Sequence, residues 1–403
     1  MDFFLKDSDD SSNEGRQHGQ KRKIVSILNK AGQDLTIPEL CKKVRLSVPT
    51  GTRLINELRE LKVIVESGKK ETGNGRPPSL YKVDKNYAFT VGVTVLLKAL
   101  SISVYNLAME EVYSVRYDDF ILENTSECLG TVSSRIGKSI GESGVEKRKI
   151  LGMGVGITGR INSKTGTSYS FFNFLEDSLA GYFENEFHFP VYLDNDTHLI
   201  GLAEQVFGEA RNVKNAFVVN LSQGLGLAII TNGVIVTGED GFAGEIGHMQ
   251  ITDSFKLCLC GKRGCLGTEV SGYALEENFK DKTGAGEASL LALGGNGKDV
   301  NFRQIMKAAR EGDALSISLI HQIGFKLGNA LGNVLNLLNP GVIIVGGELV
   351  PAKEILSDSI KSGMIHTALS LPLRSCSLTF SSIGTDAALK GAGALVLRKK
   401  NLI

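Results

Sequence analysis

Three of the chain's six cysteines fall within eight residues, and nine residues separate the first of them from an upstream histidine. The stretch reads Glu245-Ile-Gly-His248, then Cys258-Leu-Cys260-Gly-Lys-Arg-Gly264-Cys265. One imidazole and three thiolates form a complete tetrahedral donor set for Zn²⁺. Gly261 and Gly264 permit the tight turn that folds three thiolates onto one ion. Small buried residues with no common partner rarely repeat as Cys-x-Cys-Gly-x-x-Gly-Cys. The spacing therefore predicts one structural Zn²⁺ per chain, held by His248, Cys258, Cys260 and Cys265.

Other strings follow the same theme. Asp194-Asn195-Asp196 is followed by Gly201-Leu-Ala-Glu204 and Phe207-Gly208-Glu-Ala-Arg211. Ser271-Gly272 stands just after the last cysteine of the cluster, and Asn339-Pro340-Gly-Val-Ile-Ile-Val-Gly346-Gly347 lies further on. Together with the cysteine string these resemble the ROK family of repressors, open reading frames and kinases, over about residues 86 to 400. The resemblance implies an actin-like (ribonuclease H-like) sugar-kinase fold, in which two lobes flank a cleft for hexose and nucleotide. It also implies that Asp196 occupies the position of the kinase general base, which accepts the proton of a sugar hydroxyl. Asn195 beside it offers both a donor and an acceptor. Glu245 and His248 match sugar ligands, with His248 giving one ring nitrogen to zinc and the other to the sugar. The family commonly has Glu two residues after the last cysteine. Here that residue is Gly267; either Glu269, the nearest acid, substitutes from a shifted turn, or the pocket prefers another sugar.

The phosphate side departs further. The family's first-strand motif is Asp-x-Gly-Gly-Thr, whereas this chain has Thr94-Val-Leu96-Leu97-Lys98. A turn that binds phosphate needs bare backbone N–H groups and close approach, which two leucines deny. Without the Asp, a Mg²⁺ ion loses an oxygen ligand. The second loop, Ser222-Gln223-Gly224-Leu225-Gly226-Leu227-Ala228, keeps two glycines of a pattern resembling Gly-Thr-Gly-x-Gly-Gly-Gly. Catalysis is not expected, and Asp196 is a vestigial base.

The chain has 403 residues, enough for two or three domains. No apolar run reaches the roughly 18 residues of a membrane span. The start, Met1-Asp-Phe-Phe-Leu-Lys-Asp, lacks the basic region and long apolar region of a signal peptide. Thiols gathered for a metal, with Cys41, Cys128 and Cys376 scattered singly, suit a reducing cytoplasm. Net charge is +1 but uneven. Residues 1–15 hold five acids and one Lys and read as a disordered acidic tail. Residues 16–85 hold sixteen Lys and Arg against seven Asp and Glu, which points to nucleic acid.

That basic block reads as a winged helix-turn-helix. Ile24, Ile27 and Leu28 share a helix face. Thr36-Ile-Pro38-Glu39 forms a capping box, with Leu40 and Val44 inward on the short helix after it. Ser47 can cap the next helix, which buries Leu54, Leu58 and Leu61. Its other face presents Thr50, Thr52, Arg53 and Asn56 early in the helix, where base edges of a major groove are read. A hairpin follows with a basic tip carrying Lys69, Lys70 and Arg76 for phosphates or a minor groove. Leu46–Leu58 and Gly75-Arg76-Pro77 resemble the DNA-binding region of ROK repressors.

Beyond Tyr87, apolar strands alternate with helices, which gives α/β. Strands are expected at Phe89–Val95, Leu100–Tyr105, Ile150–Ile157, Val191–Leu193, Ala216–Leu221, Leu227–Ile230 and Val342–Val345. Helices are expected at Ser126–Ile140, Leu175–Phe187, Thr197–Phe207 and Ala314–Leu338. The first lobe is expected at 86–196, rejoined by a C-terminal helix within about 385–403, and the second at 197–384. The reading is a sugar-responsive transcriptional regulator, a repressor, acting as a homo-dimer or tetramer. It binds double-stranded operator DNA through the winged helix and a sugar or sugar phosphate in a degenerate kinase cleft, with no membrane partner. The alternatives are an active hexose kinase with an added DNA-binding domain, and a zinc-bearing interaction module.

Overall fold

The computed structural model describes residues 4, 13–71, 77–251, 254–293 and 300–403. Most of the expected acidic tail, and Arg76 with the tip of the basic hairpin, lie outside the described residues. The chain divides into two compact units. One runs to Asp196 and takes in Leu389–Ile403; the other is Thr197–Ala388.

The first unit opens with helix α1 (Asn13–Lys30), strand β1 (Leu35–Thr36), α2 (Ile37–Val44) and α3 (Val48–Glu60). The capping box forms, with the Thr36 N–H donating to Glu39 Oε2 at 2.9 Å. Ser47 caps α3, its Oγ accepting from the Thr50 N–H at 3.4 Å. The helices α2 and α3 cross at Gly51, where a Cβ would stand 2.2 Å from Cys41 Sγ. Leu54, Ile55 and Leu58 are buried beneath α3. Leu61, expected inward, is exposed because α3 ends before it and Leu61 serves as its C-cap. Strands β2 (Ile64–Lys69) and β3 (Ser79–Val83) complete an antiparallel sheet of order β1-β3-β2.

The remainder of this unit holds a five-stranded sheet. Strands β4 (Phe89–Leu96), β5 (Ala99–Asn106) and β6 (Glu111–Tyr117) form an antiparallel meander. Helix α4 (Ser126–Glu142) leads to β7 (Ile150–Ile157), and α5 (Leu179–Phe187) leads to β8 (Val191–Asn195). The order is β8-β7-β4-β5-β6, with β7 parallel to both β4 and β8. α5 starts at Leu179 and not at Leu175, because Ser178 caps it by accepting from the Gly181 N–H.

The second unit repeats this plan. After α6 (Asp196–Phe207) come β9 (Ala216–Leu221), β10 (Leu225–Thr231) and β11 (Val234–Ile235), again an antiparallel meander. Helices α7 (Gly272–Gly284), α8 (Phe302–Arg310) and α9 (Ala314–Leu338) precede β12 (Val342–Gly346). Helix α10 (Lys353–Thr367) precedes β13 (Ser377–Phe380), and α11 (Ala387–Lys399) ends the fold. The sheet order is β11-β10-β9-β12-β13, with β12 parallel to both β9 and β13. In each unit a three-strand meander is thus extended by two parallel strands on its first strand's free edge.

Bare backbone sets the closest packing. A Cβ on Gly154 of β7 would lie 1.9 Å from the Ala392 carbonyl oxygen of α11, and one on Gly92 of β4 2.6 Å from that of Leu389. In the second unit, Gly324, Gly328 and Gly332 line one face of α9, and each meets α10: a Cβ on Gly328 would lie 2.1 Å from the Ile360 carbonyl oxygen. Gly328→Ala is expected to cost about 2–3 kcal/mol through overpacking, read as a lower urea midpoint. Gly130→Ala, on an exposed turn of α4 with open space around it, should leave the midpoint unchanged or raise it, because alanine favours helix.

Candidate functional site

The cysteine loop lies between β11 and α7. Two isolated antiparallel bridges, Gln250 with Cys265 and Leu257 with Arg263, fold it back on itself. Gly261 and Gly264 take φ of +84° and +75°, a left-handed region that favours glycine. The ligand atoms of His248, Cys258, Cys260 and Cys265 all lie within 4.8 Å of one another. Cys260 Sγ is 3.6 Å from Cys265 Sγ, and His248 Nδ1 is 3.5 Å from Cys258 Sγ. The edge of a tetrahedron built on metal–sulfur bonds of ~2.3 Å is about 3.8 Å, so the four donors fit a metal ion. Burial pushes the Cys265 thiol up to about 12; a cation beside it is what allows it to ionise. The second ring nitrogen, His248 Nε2, is 3.7 Å from Glu245 Oε2. That separation is longer than a hydrogen bond.

Glu269 is buried and already engaged. Its Oε2 accepts from Lys326 Nζ at 2.5 Å, and Lys256 Nζ stands 3.8 Å from its Oε1. Burial drives its carboxyl up, but the hydrogen bonds from Lys326 and Ser254 and the two ammonium charges outweigh burial and hold it low. Gly267 packs under the histidine turn, where a Cβ would lie 3.1 Å from the Gly247 carbonyl oxygen. In the other unit, Asn195 closes β8, and its Nδ2 donates to the Gly159 carbonyl at 2.9 Å. Asp196 follows without a loop as the first residue of α6. The five expected sugar ligands therefore divide, with Asn195 and Asp196 in one unit and Glu245, His248 and Glu269 in the other.

The two loops that depart from the family's phosphate motifs are built differently. Leu96 pairs with Ala99, so Leu97-Lys98 forms the turn between β4 and β5. Leu97 packs against the apolar core, and its carbonyl accepts from the Leu122 N–H at 3.0 Å. In the second unit the Gly272 and Tyr273 N–H groups donate to the Ser222 and Gln223 carbonyls at 2.7 and 3.1 Å. The Glu348 N–H donates to Ser222 Oγ at 3.0 Å. Gly347 adopts φ +95°, and a Cβ there would lie 2.5 Å from the Leu221 carbonyl oxygen, so glycine is required at 347 by packing.

On α3, Arg53 is exposed, and Thr50, Thr52 and Asn56 are half-exposed. Lys69 and Lys70 are exposed at the end of β2. Two of these cations have partners. Arg53 meets Glu57 at 2.6 Å, and Glu57 is shared with Lys21 of α1 at 2.8 Å. Lys70 meets Glu39 at 2.5 Å, and its hydrogen bond leads the causes that lower the Glu39 carboxyl to about 2. Exposed pairs of this kind are worth little, so phosphates can compete for both cations. The i, i+4 spacing of Arg53 and Glu57 was readable in the sequence. The roles of Lys21, Lys326, Lys256 and Ser222 were not, since each partner is distant along the chain.

The description "ROK family" matches residues 91–399. The chain belongs to the ROK family. Its fold is the α/β fold shared by ROK repressors and sugar kinases. A xylose repressor of Caldicellulosiruptor bescii is 26% identical over 361 residues, covering 89% of this chain and 90% of that protein. A glucokinase of Halalkalibacterium halodurans is 33% identical over 263 residues, covering 63% of this chain and 78% of that protein. A solved ROK family transcriptional regulator, a homolog of the E. coli MLC protein, superposes with a TM-score of 0.81 at 26% identity, covering 96% of this chain and 97% of that one. Among the described residues, no helix of this ROK protein is long and apolar enough to cross a membrane.

Cys265→Ser is expected to abolish stoichiometric metal in the purified protein, measured by plasma mass spectrometry, and to lower the melting temperature. Cys376→Ser, outside the cluster, should retain the metal.

Proposed function

We propose that this chain is a sugar-responsive transcriptional repressor. It binds operator DNA through a winged helix-turn-helix formed by α1–α3 and the β2–β3 hairpin, and its kinase-like body senses a sugar or sugar phosphate. The observation that carries this reading is the N-terminal block. The xylose repressor and the transcriptional regulator align with 89% and 96% of the chain, against 63% for the glucokinase. The basic face of α3 gives that block its purpose: Thr50, Thr52, Arg53 and Asn56 read bases, while Lys69, Lys70 and Arg76 hold phosphates. One winged helix reads too few base pairs for a unique site, so the acting species is a dimer or tetramer on a palindrome. A regulator of DNA with these properties works in the cytoplasm.

The metal is Zn²⁺ in a structural role, since three thiolates and one imidazole leave no position open. Held by zinc, His248 presents its Nε2, together with Glu245, to the sugar. Asn195 and Asp196 bind a sugar hydroxyl. Glu269, paired with Lys326 and Lys256, contributes its carboxylate only by exchanging a lysine partner.

The 33% identical glucokinase favours an active kinase as the second reading. Against it stand Thr94 in place of an acid and Leu96-Leu97 in place of glycines. A coupled assay of ATP-dependent phosphorylation over a hexose panel decides this. Turnover on the order of 1 s⁻¹ with any sugar makes the chain a kinase.

Effector and DNA binding are coupled only by the effector's differential affinity for two states. The N-terminal block has direct bonds to the body of its unit, from the Leu107 N–H to the Lys85 carbonyl at 2.9 Å and from Asn29 to the Leu402 carbonyl at 3.4 Å. The effector is expected to weaken operator binding. Asp196→Ala should abolish that response while operator affinity without sugar stays near normal, as read by fluorescence anisotropy. Arg53→Ala should cost roughly 1–3 kcal/mol on the cognate site. Lys70→Ala should weaken binding to every sequence and flatten the salt dependence. Equal loss on specific and random DNA for Arg53→Ala would remove its base-reading role.

A further inference from the structure

Two aromatic rings stand in solvent on one short loop of the first unit. After β7 a two-stranded ribbon pairs Ile161–Asn162 with Thr167–Ser168, and the loop 169–174 follows it. Tyr169 is 45% exposed and Phe174 43%. Phe172 between them is buried and takes a φ of +56°, in the left-handed region that bulky residues rarely adopt. Its ring packs in the core and lies edge-on to Phe174, with 6.4 Å between centroids. Asn173 ties the loop together. Its Nδ2 donates to the Tyr169 carbonyl at 3.3 Å, and its Oδ1 accepts from Asn124 at 2.8 Å. The two outward rings are thus fixed before a ligand arrives, which lowers the entropy lost on binding.

Both ends of this loop lead to polar ground. At one end it is bonded to the turn that holds Asn195. The Tyr169 N–H donates to the Arg160 carbonyl and the Arg160 N–H to Ser170 Oγ, each at 2.9 Å, while the Gly159 carbonyl accepts from Asn195 Nδ2. At the other end the chain enters the wall of a cavity of about 310 Å³, lined by Leu175, Glu176, Asp177, Tyr182, Asn185 and Glu186. This lining selects a ligand class. It has no Lys or Arg, so a phosphate would face three like charges. Among the described residues, only the histidine–cysteine set gathers three or more donors within reach of one metal ion, so these carboxylates do not converge on a cation. Carboxylates accept from hydroxyls, the Asn185 amide accepts and donates, and Tyr182 and Leu175 offer apolar faces. Aromatic rings beside a few polar groups match a pyranose, whose C–H face is apolar and whose rim carries hydroxyls.

We propose that Tyr169 and Phe174 stack on a sugar ring beyond the one held by Asn195 and Asp196, and that the far end of the ligand enters the 175–186 cavity. The effector is then a neutral oligosaccharide of two or more rings rather than a single sugar. That Asn195 and Asp196 hold the first ring rests on the sugar-sensing reading; the loop, its bonds and the cavity do not.

The test titrates the full chain by calorimetry with glucose, xylose, mannose, galactose and N-acetylglucosamine, and with their α- and β-linked di- and trisaccharides. At least one oligosaccharide should bind about tenfold tighter than its own monosaccharide. Tyr169→Ala and Phe174→Ala should each weaken that oligosaccharide about tenfold more than the monosaccharide. Tyr169→Phe, which keeps the ring, should restore the affinity, and Asp196→Ala should lose both ligands. In wild type, saturation-transfer NMR should mark C–H protons on at least two rings of the bound oligosaccharide, and this holds even if a variant misfolds. Monosaccharides bound as tightly as oligosaccharides, no selective loss in either alanine variant, or saturation confined to one ring each overturns the proposal and leaves the sugar reading standing. Full affinity in Asp196→Ala removes the first ring's place and the proposal with it. Absence of binding by every sugar in the panel overturns both.

Discussion

The close approach of backbone to backbone is the constraint on which this molecule depends. In the first unit, α11 lies against β4 and β7 at distances that admit no Cβ at Gly92 or Gly154. In the second, α9 and α10 meet through a row of glycines. Each contact gains dispersion energy along its whole length because no side chain intervenes, and each fails steeply when one is added. The C-terminal helix can return to the first unit's sheet only because both sides are bare.

The two loops that depart from the family's phosphate motifs keep their place in the fold by different contacts. A phosphate site is a set of unpaired N–H groups on a bare turn. Here the Gly272, Tyr273 and Glu348 N–H groups donate to Ser222 and Gln223. Leucine fills the first turn and packs into the core. Gly347 is bare because Leu221 stands against it.

The metal loop works in the opposite way. Its donors are brought together by left-handed glycines and two isolated bridges rather than by a regular element. Cys265 is the buried member of the set, and burial pushes its thiol up. The Glu245–His248 contact joins that centre to the expected sugar ligands, and Glu269 is drawn the other way into the Lys326 pair.

Much was legible in the sequence because its signals are local. Cysteine spacing predicted the ligand set, and the capping box and Ser47 marked the starts of α2 and α3. Apolar runs located β4, β7, β9 and α9, since strands buried on both faces and long amphipathic helices carry strong periodicity. Edge strand β6 was missed because its outward residues, Glu111, Val112 and Arg116 among them, break the apolar run. Helices α7 and α10 were missed because glycine, serine and charge dilute their apolar period. Only tertiary structure decided that Glu269 belongs to Lys326, 57 residues away, and that Ser222 accepts from Gly272 and Glu348. Each of these depends on which segments the fold brings side by side, and no local pattern encodes that distance.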